Sequence, residues 1–302
     1  MGSLAVLSLF GFPRSGSTVI GRVLGAYEGA CFLGEVSNAW LAWSRERRCG
    51  CGARVQECPV WGRAMGSLDH DPAETLRLQA SLRATASVTG LGQRRAYERY
   101  GQRLGELYRA LADATGARVL VDSSKALPDA RLIGRVPGVR ACVVHLVRDP
   151  RAAVHSRSVT RRERLAQGRH PNPVAARLGS LVTAQDAGAW RATDHVGRRA
   201  LRRARWGVEV GYEDWAANPR QRSEALASLI GCPVADGAGP FVGPATVALE
   251  PGHVVSGNRN RKASGATAIA VDERWRTAMG PVAQGLVLAI AGSRRARAAQ
   301  GR

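Results

Sequence analysis

The apolar positions of this chain fall into short runs, each followed by a polar tip and then a helical pattern. Leu4-Ala5-Val6-Leu7-Ser8-Leu9-Phe10 predicts a buried strand, Gly11 to Thr18 a glycine-bearing turn, and Val19 to Ala26 the first turns of a helix. Ala30 to Leu33 predicts a second strand ending at Gly34-Glu35, with a helix from about Val36 through Trp40 and Trp43. Arg118 to Val121 predicts a strand that ends at Asp122-Ser123-Ser124-Lys125, and a helix from about Pro128. Val139 to Val147 is apolar almost throughout, as expected of a central strand in a parallel sheet. It ends at Arg148-Asp149-Pro150, where proline suits the first turn of a helix running to about 160. Trp206 to Val210 predicts a final strand, followed by Tyr212. Strand, polar tip, helix thus recurs at 18, 125 and 148, and ligands of open parallel sheets lie at the carboxyl ends of strands.

Between these units, residues 72–114 read as mainly helical, either packing or a wall over a substrate. Residues 161–173 read as an arginine-rich loop or lid, and 178–205 and 219–230 as helices. Residues 231–268 read as a long loop that includes His253 to Lys262, and two short helices follow near 272–279 and 281–291. No repeat and no Pro/Gly/Ser-rich linker divides the chain, so 1–302 is expected to be one α/β domain with a disordered basic tail over 292–302.

The net charge of +20 raises a nucleic-acid reading, but its composition weakens it. Lys125 and Lys262 are the only lysines among 44 basic residues, so 42 are arginine, spread from Arg14 to Arg302 as codon bias in a GC-rich genome would spread them. Aromatic residues make up 5%, too few for a stacking platform along a single strand. No specific nucleic-acid partner is therefore expected, only weak, salt-dependent attraction of polyanions. No apolar run approaches the roughly 18 residues of a membrane span. Residues 1–12 lack the basic start of a signal peptide, so a cytoplasmic protein with reduced cysteines is expected. Cys49, Cys51 and Cys58, with His70 as a fourth ligand, leave three readings open: a metal site, a disulfide or a reduced loop.

The first turn carries the candidate chemistry. Over the Walker A pattern Gly11, Gly16 and Thr18 match, while Ser17 stands at the lysine position and Arg14 is the loop's cation. Backbone N–H groups and a helix N-terminus there can hold an anion. Arg148 and Ser156, eight residues apart across a helix start, can face one anion with a charged fork and a hydroxyl.

These motifs, in this order, resemble the PAPS-dependent sulfotransferases, enzymes that use 3′-phosphoadenosine 5′-phosphosulfate. Pro13-Arg14-Ser15-Gly16-Ser17-Thr18 is similar to the family's 5′-phosphosulfate loop in the arginine form of the tyrosylprotein branch and many bacterial members. Val147 to Ser156 is similar to its 3′-phosphate motif. Val121 to Lys125, the Cys-x-Cys-Gly segment and His253 to Arg261 resemble stretches of bacterial members. The resemblance implies an α/β fold of P-loop-NTPase-like build, a central parallel sheet flanked by helices. It implies PAPS as donor, PAP as product and no required metal. Gly34-Glu35 resembles the tyrosylprotein branch, which implies Glu35 as base, although this chain continues Val-Ser. Lys125 with Arg14 is implied to steady the leaving phosphate, and a lysine kept in a nearly lysine-free chain suits a compact ammonium. Ser15, Gly16, Ser17 and Thr18 would cradle the phosphosulfate, Arg148 and Ser156 the 3′-phosphate. Tyr212 resembles a cofactor-side tyrosine, and Arg259, Arg261 and Lys262 lie where the family closes a loop over the nucleotide, without its Gly-x-x-Gly-x-Trp-Lys form. His145, His155, His70 and His253 stand as alternative bases. The expected acceptor is a small-molecule alcohol or phenol of specialised metabolism, held by residues 36–114 and 161–173. A P-loop kinase using ATP and Mg²⁺ is the alternative, and a non-enzymatic arginine-rich binder a third reading.

Overall fold

The computed structural model describes residues 4–84, 91–132, 134–168, 179–234, 239–257, 259–262 and 264–292. Strand β1 (Ala5–Gly11) leads into helix α1 (Ser17–Leu24), followed by β2 (Ala30–Gly34), a 3-10 turn over Val36–Asn38 and α2 (Ala39–Ser44). Helices α3 (Trp61–Gly66), α4 (Pro72–Ala84) and α5 (Leu91–Thr115) precede β3 (Val119–Asp122), α6 (Leu127–Leu132), β4 (Arg140–Val147), α7 (Pro150–Ala166) and α8 (Gly179–Arg203). Then come β5 (Trp206–Gly211), α9 (Tyr212–Ala217), α10 (Pro219–Leu229), β6 (Thr246–Leu249), a 3-10 turn over Arg259–Lys262, β7 (Gly265–Ala268), α11 (Trp275–Ala278) and α12 (Pro281–Ala291).

The main sheet has five parallel strands in the order β2-β3-β1-β4-β5. The chain fills the β3/β2 side first and the β4/β5 side afterwards, so the switch point lies at the carboxyl end of β1. Side chains on a strand alternate between faces, and here each face has its own core. Leu7, Leu9, Val121 and Val144 pack with Ile20 and Leu24 of α1 and with Trp215. Val6 and Leu120 pack on the opposite side with Trp40, Trp61, Tyr100 and Leu107. Burial on both faces explains why β1 and β4 read as continuous apolar runs.

β4 is an interior strand, as its apolar run predicts, paired in parallel with β1 on one side and β5 on the other, and β1 holds the middle of the sheet. Several expectations are corrected. β5 is not the last strand: residues 231–268, expected as loop, contain the antiparallel pair β6 and β7. Their sequences, Thr-Val-Ala-Leu and Gly-Ala-Thr-Ala, are too short and small to show alternation. α7 runs to Ala166 and takes in the first part of the expected 161–173 loop; residues 169–173 lie outside the described residues. The last helical segment before α12 is only Trp275–Ala278. From 293 onward the expected tail lies outside the described residues. Among those described, no helix is long and apolar enough to cross a membrane.

Candidate functional site

The turn after β1 is shaped by close approach. Gly11 passes so near β4 that a Cβ there would lie 2.4 Å from the Leu146 carbonyl oxygen. Gly16 has φ 86°, and a Cβ there would lie 2.4 Å from the Tyr212 ring, so only glycine fits. Arg14, too, is left-handed at φ 79°, a conformation costly for a side-chain-bearing residue. Ser15, Ser17 and Thr18 are buried at the start of α1, and Ser15 Oγ has no hydrogen-bond partner among the described residues.

The end of β4 meets this turn. The Arg148 guanidinium donates to the Arg14 carbonyl at 2.8 Å, lies 4.6 Å over the Tyr212 ring, and pairs with Asp272 at 3.3 Å. Its Nε is buried without a partner among the described residues. Trp190 Nε1 donates to the Arg148 carbonyl at 3.2 Å, which fixes the tip from below. Asp149 caps α7 by accepting the Arg151 N–H at 2.8 Å, with Pro150 in the first turn. That helix presents Ser156, which accepts from Arg14 Nε at 3.0 Å. Arg14, Arg148, Ser156 and Tyr212 are thus brought together, though Ser156 pairs with Arg14 and not with Arg148. Burial and the neighbouring Arg148 lower the Arg14 pKa, and burial raises that of Tyr212. A buried guanidinium, Arg148, beside a half-buried one, Arg14, makes a site that an anion would relieve.

The ends of β2 and β3 form a second group. Glu35 Oε1 pairs with Lys125 Nζ at 3.2 Å, and its Oε2 accepts from Asn38 at 2.8 Å and Ser256 at 3.4 Å. Lys125 also donates to the Ser123 carbonyl at 2.9 Å. Beneath it lies a buried polar network. Asp122 accepts from the Val36 and Ser124 N–H groups and the Ser124 and Tyr108 hydroxyls, and Ser124 Oγ accepts from the Ser37 N–H at 3.0 Å. Gln79 donates to the Ser37 carbonyl and the Tyr100 hydroxyl, and Tyr100 donates to Asp129. Burial raises the Asp122 pKa, and pushes Asp129 up to about 6. Satisfied networks of this kind rigidify what they support, here the segments carrying Glu35 and Lys125.

A strap over residues 253–257 borders both groups. Val255 donates to the Leu33 carbonyl at 3.1 Å and Glu35 to the Ser256 carbonyl at 3.2 Å, while a Cβ on Gly257 would lie 3.6 Å from Thr18 Oγ1. The 3-10 turn beyond it packs against α1 and holds Arg261, which is half-buried; the Arg259 side chain lies outside the described residues. Lys125 pairs with Glu35 and the Ser123 carbonyl, and among the described residues no hydrogen bond joins it to Arg14. His145 is buried beside Glu209 and Asp194 at 3.3 and 3.8 Å, facing α8. His155 is on α7, its pKa lowered by burial and nearby arginines. His70 accepts from Trp40 and meets Glu106, away from the cysteines.

The sequence pattern does not mark Asn38, Ser256, Asp272 or Glu213, whose Oε1 accepts the Asp149 N–H at 3.1 Å. Asn38 has only the spacing signal that it follows Glu35 by one helical turn. Asp272 and Ser256 come from 124 and 221 residues beyond their partners, which no local pattern records.

A parallel sheet flanked by helices, with a glycine-tight strand-to-helix turn at its switch point, defines an open α/β class whose ligands lie at the carboxyl ends of the strands. A model of the Sulfotransferase family matches residues 7–236, and the chain belongs to that family. It is therefore a transferase whose general chemistry is sulfuryl transfer. Among solved structures, "Sulfotransferase Domain from the Curacin Biosynthetic Pathway" is similar with TM-score 0.53 and 17% identity, over 95% of this chain and 96% of that one. "Sulfotransferase Domain from the Synechococcus PCC 7002 Olefin Synthase" has TM-score 0.46 and 17% identity, over 96% of each. At that identity the first likeness speaks to the fold. No curated protein sequence matches the chain.

Proposed function

We propose that this protein transfers the sulfuryl group of PAPS to a hydroxyl of a small-molecule acceptor, an alcohol or phenol of specialised metabolism. The observation that carries the reading is the cluster of Arg14, Arg148, Ser156 and Tyr212 around the Gly16 turn, with Ser15 Oγ and Arg148 Nε buried and unpartnered among the described residues. Unsatisfied buried donors beside two cations suit a multiply charged anion. The turn and the α1 start would hold the phosphosulfate; Arg148 and Ser156 would hold the 3′-phosphate, with Arg261 from the neighbouring turn.

In this reaction the acceptor oxygen attacks sulfur in line with the bridging oxygen, and its proton passes to a Glu35 carboxylate oxygen. The S–O bond to the 5′-phosphate breaks, and the electron pair leaves with that phosphate. Arg14 and the backbone donors of the turn offset the charge that develops there. Lys125, bonded to Glu35, orients the base and adds positive charge at the same end of the sheet. A sulfuryl group carries less charge than a terminal phosphoryl, so a turn with Ser17 at the Walker lysine position suits it better than it suits ATP with Mg²⁺.

Calorimetric titration with adenosine 3′,5′-bisphosphate tests the donor. Saturable binding at low salt, with ATP/Mg²⁺ binding far more weakly, is the expected result; no saturable binding would end the reading. Labelled PAPS incubated with an extract of the producing organism would then identify the acceptor by the product that takes up label.

A further inference from the structure

We propose that Cys49, Cys51, Cys58 and His253 form a closed structural zinc site that fastens the 253–257 strap beside Glu35. The four ligand atoms lie within 4.8 Å of one another. Cys58 Sγ is 3.7 Å from Cys49 Sγ, 3.8 Å from Cys51 Sγ and 3.2 Å from His253 Nδ1. A tetrahedral site with Zn–S bonds of about 2.3 Å has S–S edges of about 3.8 Å. A disulfide would bring two of the sulfurs to about 2.05 Å. The two S–S distances therefore match edges of a coordination tetrahedron with the sulfurs at its corners. This removes His70 from the set: it is bonded to Trp40, and the fourth ligand comes from 195 residues beyond Cys58.

The backbone holds all four in place. Cys49 donates to the Ala53 carbonyl at 2.8 Å, and Gly52, at φ 95°, donates back to the Cys49 carbonyl at 3.1 Å, a tight turn that puts two thiols on one side. Gly50 donates to the Val254 carbonyl at 3.0 Å, and a Cβ there would lie 2.4 Å from the Gly252 carbonyl oxygen. Trp61 Nε1 donates to the His253 carbonyl at 2.7 Å. Cys58 opens the turn before α3, where its Sγ lies between Cys49 Sγ and His253 Nδ1 and its carbonyl accepts the Gly62 N–H at 2.7 Å. Cys49 and Cys58 are fully buried, and a set of three thiolates and a neutral imidazole is a soft, tetrahedral zinc set with no position left for a substrate. Binding releases the thiol protons to solvent, so retention weakens in acid.

The site's consequence is positional. Val255 and Ser256 pair with Leu33 and Glu35 along the end of β2, so the ligand His253 anchors the strap that holds the Glu35 backbone and caps its carboxylate. The site holds whatever the donor or the acceptor.

Protein purified with reductant and zinc present should retain about one zinc per chain by elemental mass spectrometry. Replacement by Co²⁺ should give intense tetrahedral ligand-field bands and thiolate-to-metal charge transfer. Cys51→Ser and His253→Ala should each lower retained zinc by about tenfold or more, and His70→Ala should leave it unchanged. In the wild type, extracting the metal should speed amide exchange at Glu35 and Val255 by about tenfold or more while β1 and β4 stay protected. A wild-type chain that retains no zinc and shows no cobalt bands overturns the site, whatever the variants do. So does a disulfide among these cysteines in protein purified with zinc present. A cobalt spectrum unchanged in His253→Ala overturns the fourth ligand and with it the anchoring of the strap.

Discussion

Arg148 joins three parts of the site. One N–H of its fork holds the Arg14 carbonyl, another meets Asp272, and its plane covers Tyr212, the ring that in turn excludes a side chain at position 16. Arg148→Ala should weaken adenosine 3′,5′-bisphosphate binding by about 10- to 100-fold, the worth of one or two charge-assisted hydrogen bonds. Unchanged affinity in calorimetry would move the 3′-phosphate elsewhere. Glu35→Gln keeps the shape and should leave that affinity within about twofold while lowering turnover by about 10² or more, the scale of a lost general base. Turnover equal to wild type would remove Glu35 from the chemistry. Glu213, which accepts the Asp149 N–H at 3.1 Å, has its pKa raised by burial to about 7 from 4.5. The folded chain then holds a proton that the unfolded chain releases, and stability falls as pH rises from about 4.5 to about 7. Glu213→Gln should flatten that slope and raise stability at neutral pH by up to about 3 kcal/mol. Thermal melts of both proteins across this range check it, and parallel curves would refute it.

At the scale of elements, the site is four strand ends, and those of β2, β3 and β4 are held in register by what lies beneath them. The β2 end is the most constrained. Gly34 has φ 81°, and a Cβ there would lie 2.3 Å from the Ser256 carbonyl oxygen, the acceptor for the Glu35 N–H. Gly34→Ala should cost at least about 1–2 kcal/mol from the left-handed backbone alone. It should also loosen the strap, read as faster amide exchange at Glu35. Denaturant curves that coincide with wild type would show that strap and strand part without cost. The β3 end depends instead on burial of Asp122 within its network, and the β4 end on the Asp149 cap and the Pro150 start of α7.

At the scale of the molecule, charge and topology act separately. A net charge of +20 attracts any polyanion, and that attraction should fall steeply with salt. Binding at the β1 switch point uses desolvated donors and should survive. Heparin should therefore be released by moderate salt while adenosine 3′,5′-bisphosphate still protects the fold. At about 100 times its dissociation constant the nucleotide adds about 2.7 kcal/mol of stability, visible as a higher melting temperature. Equal salt sensitivity of the two would mean that the nucleotide meets only the basic surface.

Local pattern carried much of this architecture. Strands buried on both faces must be continuously apolar, so 4–10 and 139–147 announced themselves. A strand-to-helix turn that admits no Cβ must carry glycine, so Gly11 and Gly16 marked the turn after β1. The types and tips of Arg14, Glu35, Lys125, Arg148 and Ser156 could be named for the same reason: each follows a legible strand. The pairings among them were decided by tertiary structure alone. Ser156 meets Arg14, Lys125 meets Glu35, Asp272 meets Arg148, and His253 replaces His70 beside the cysteines. Those contacts join segments whose separation along the chain says nothing of their distance in space. Periodicity reports which face a residue turns to its own element; only the packed sheet, with its order β2-β3-β1-β4-β5, settles what that face meets.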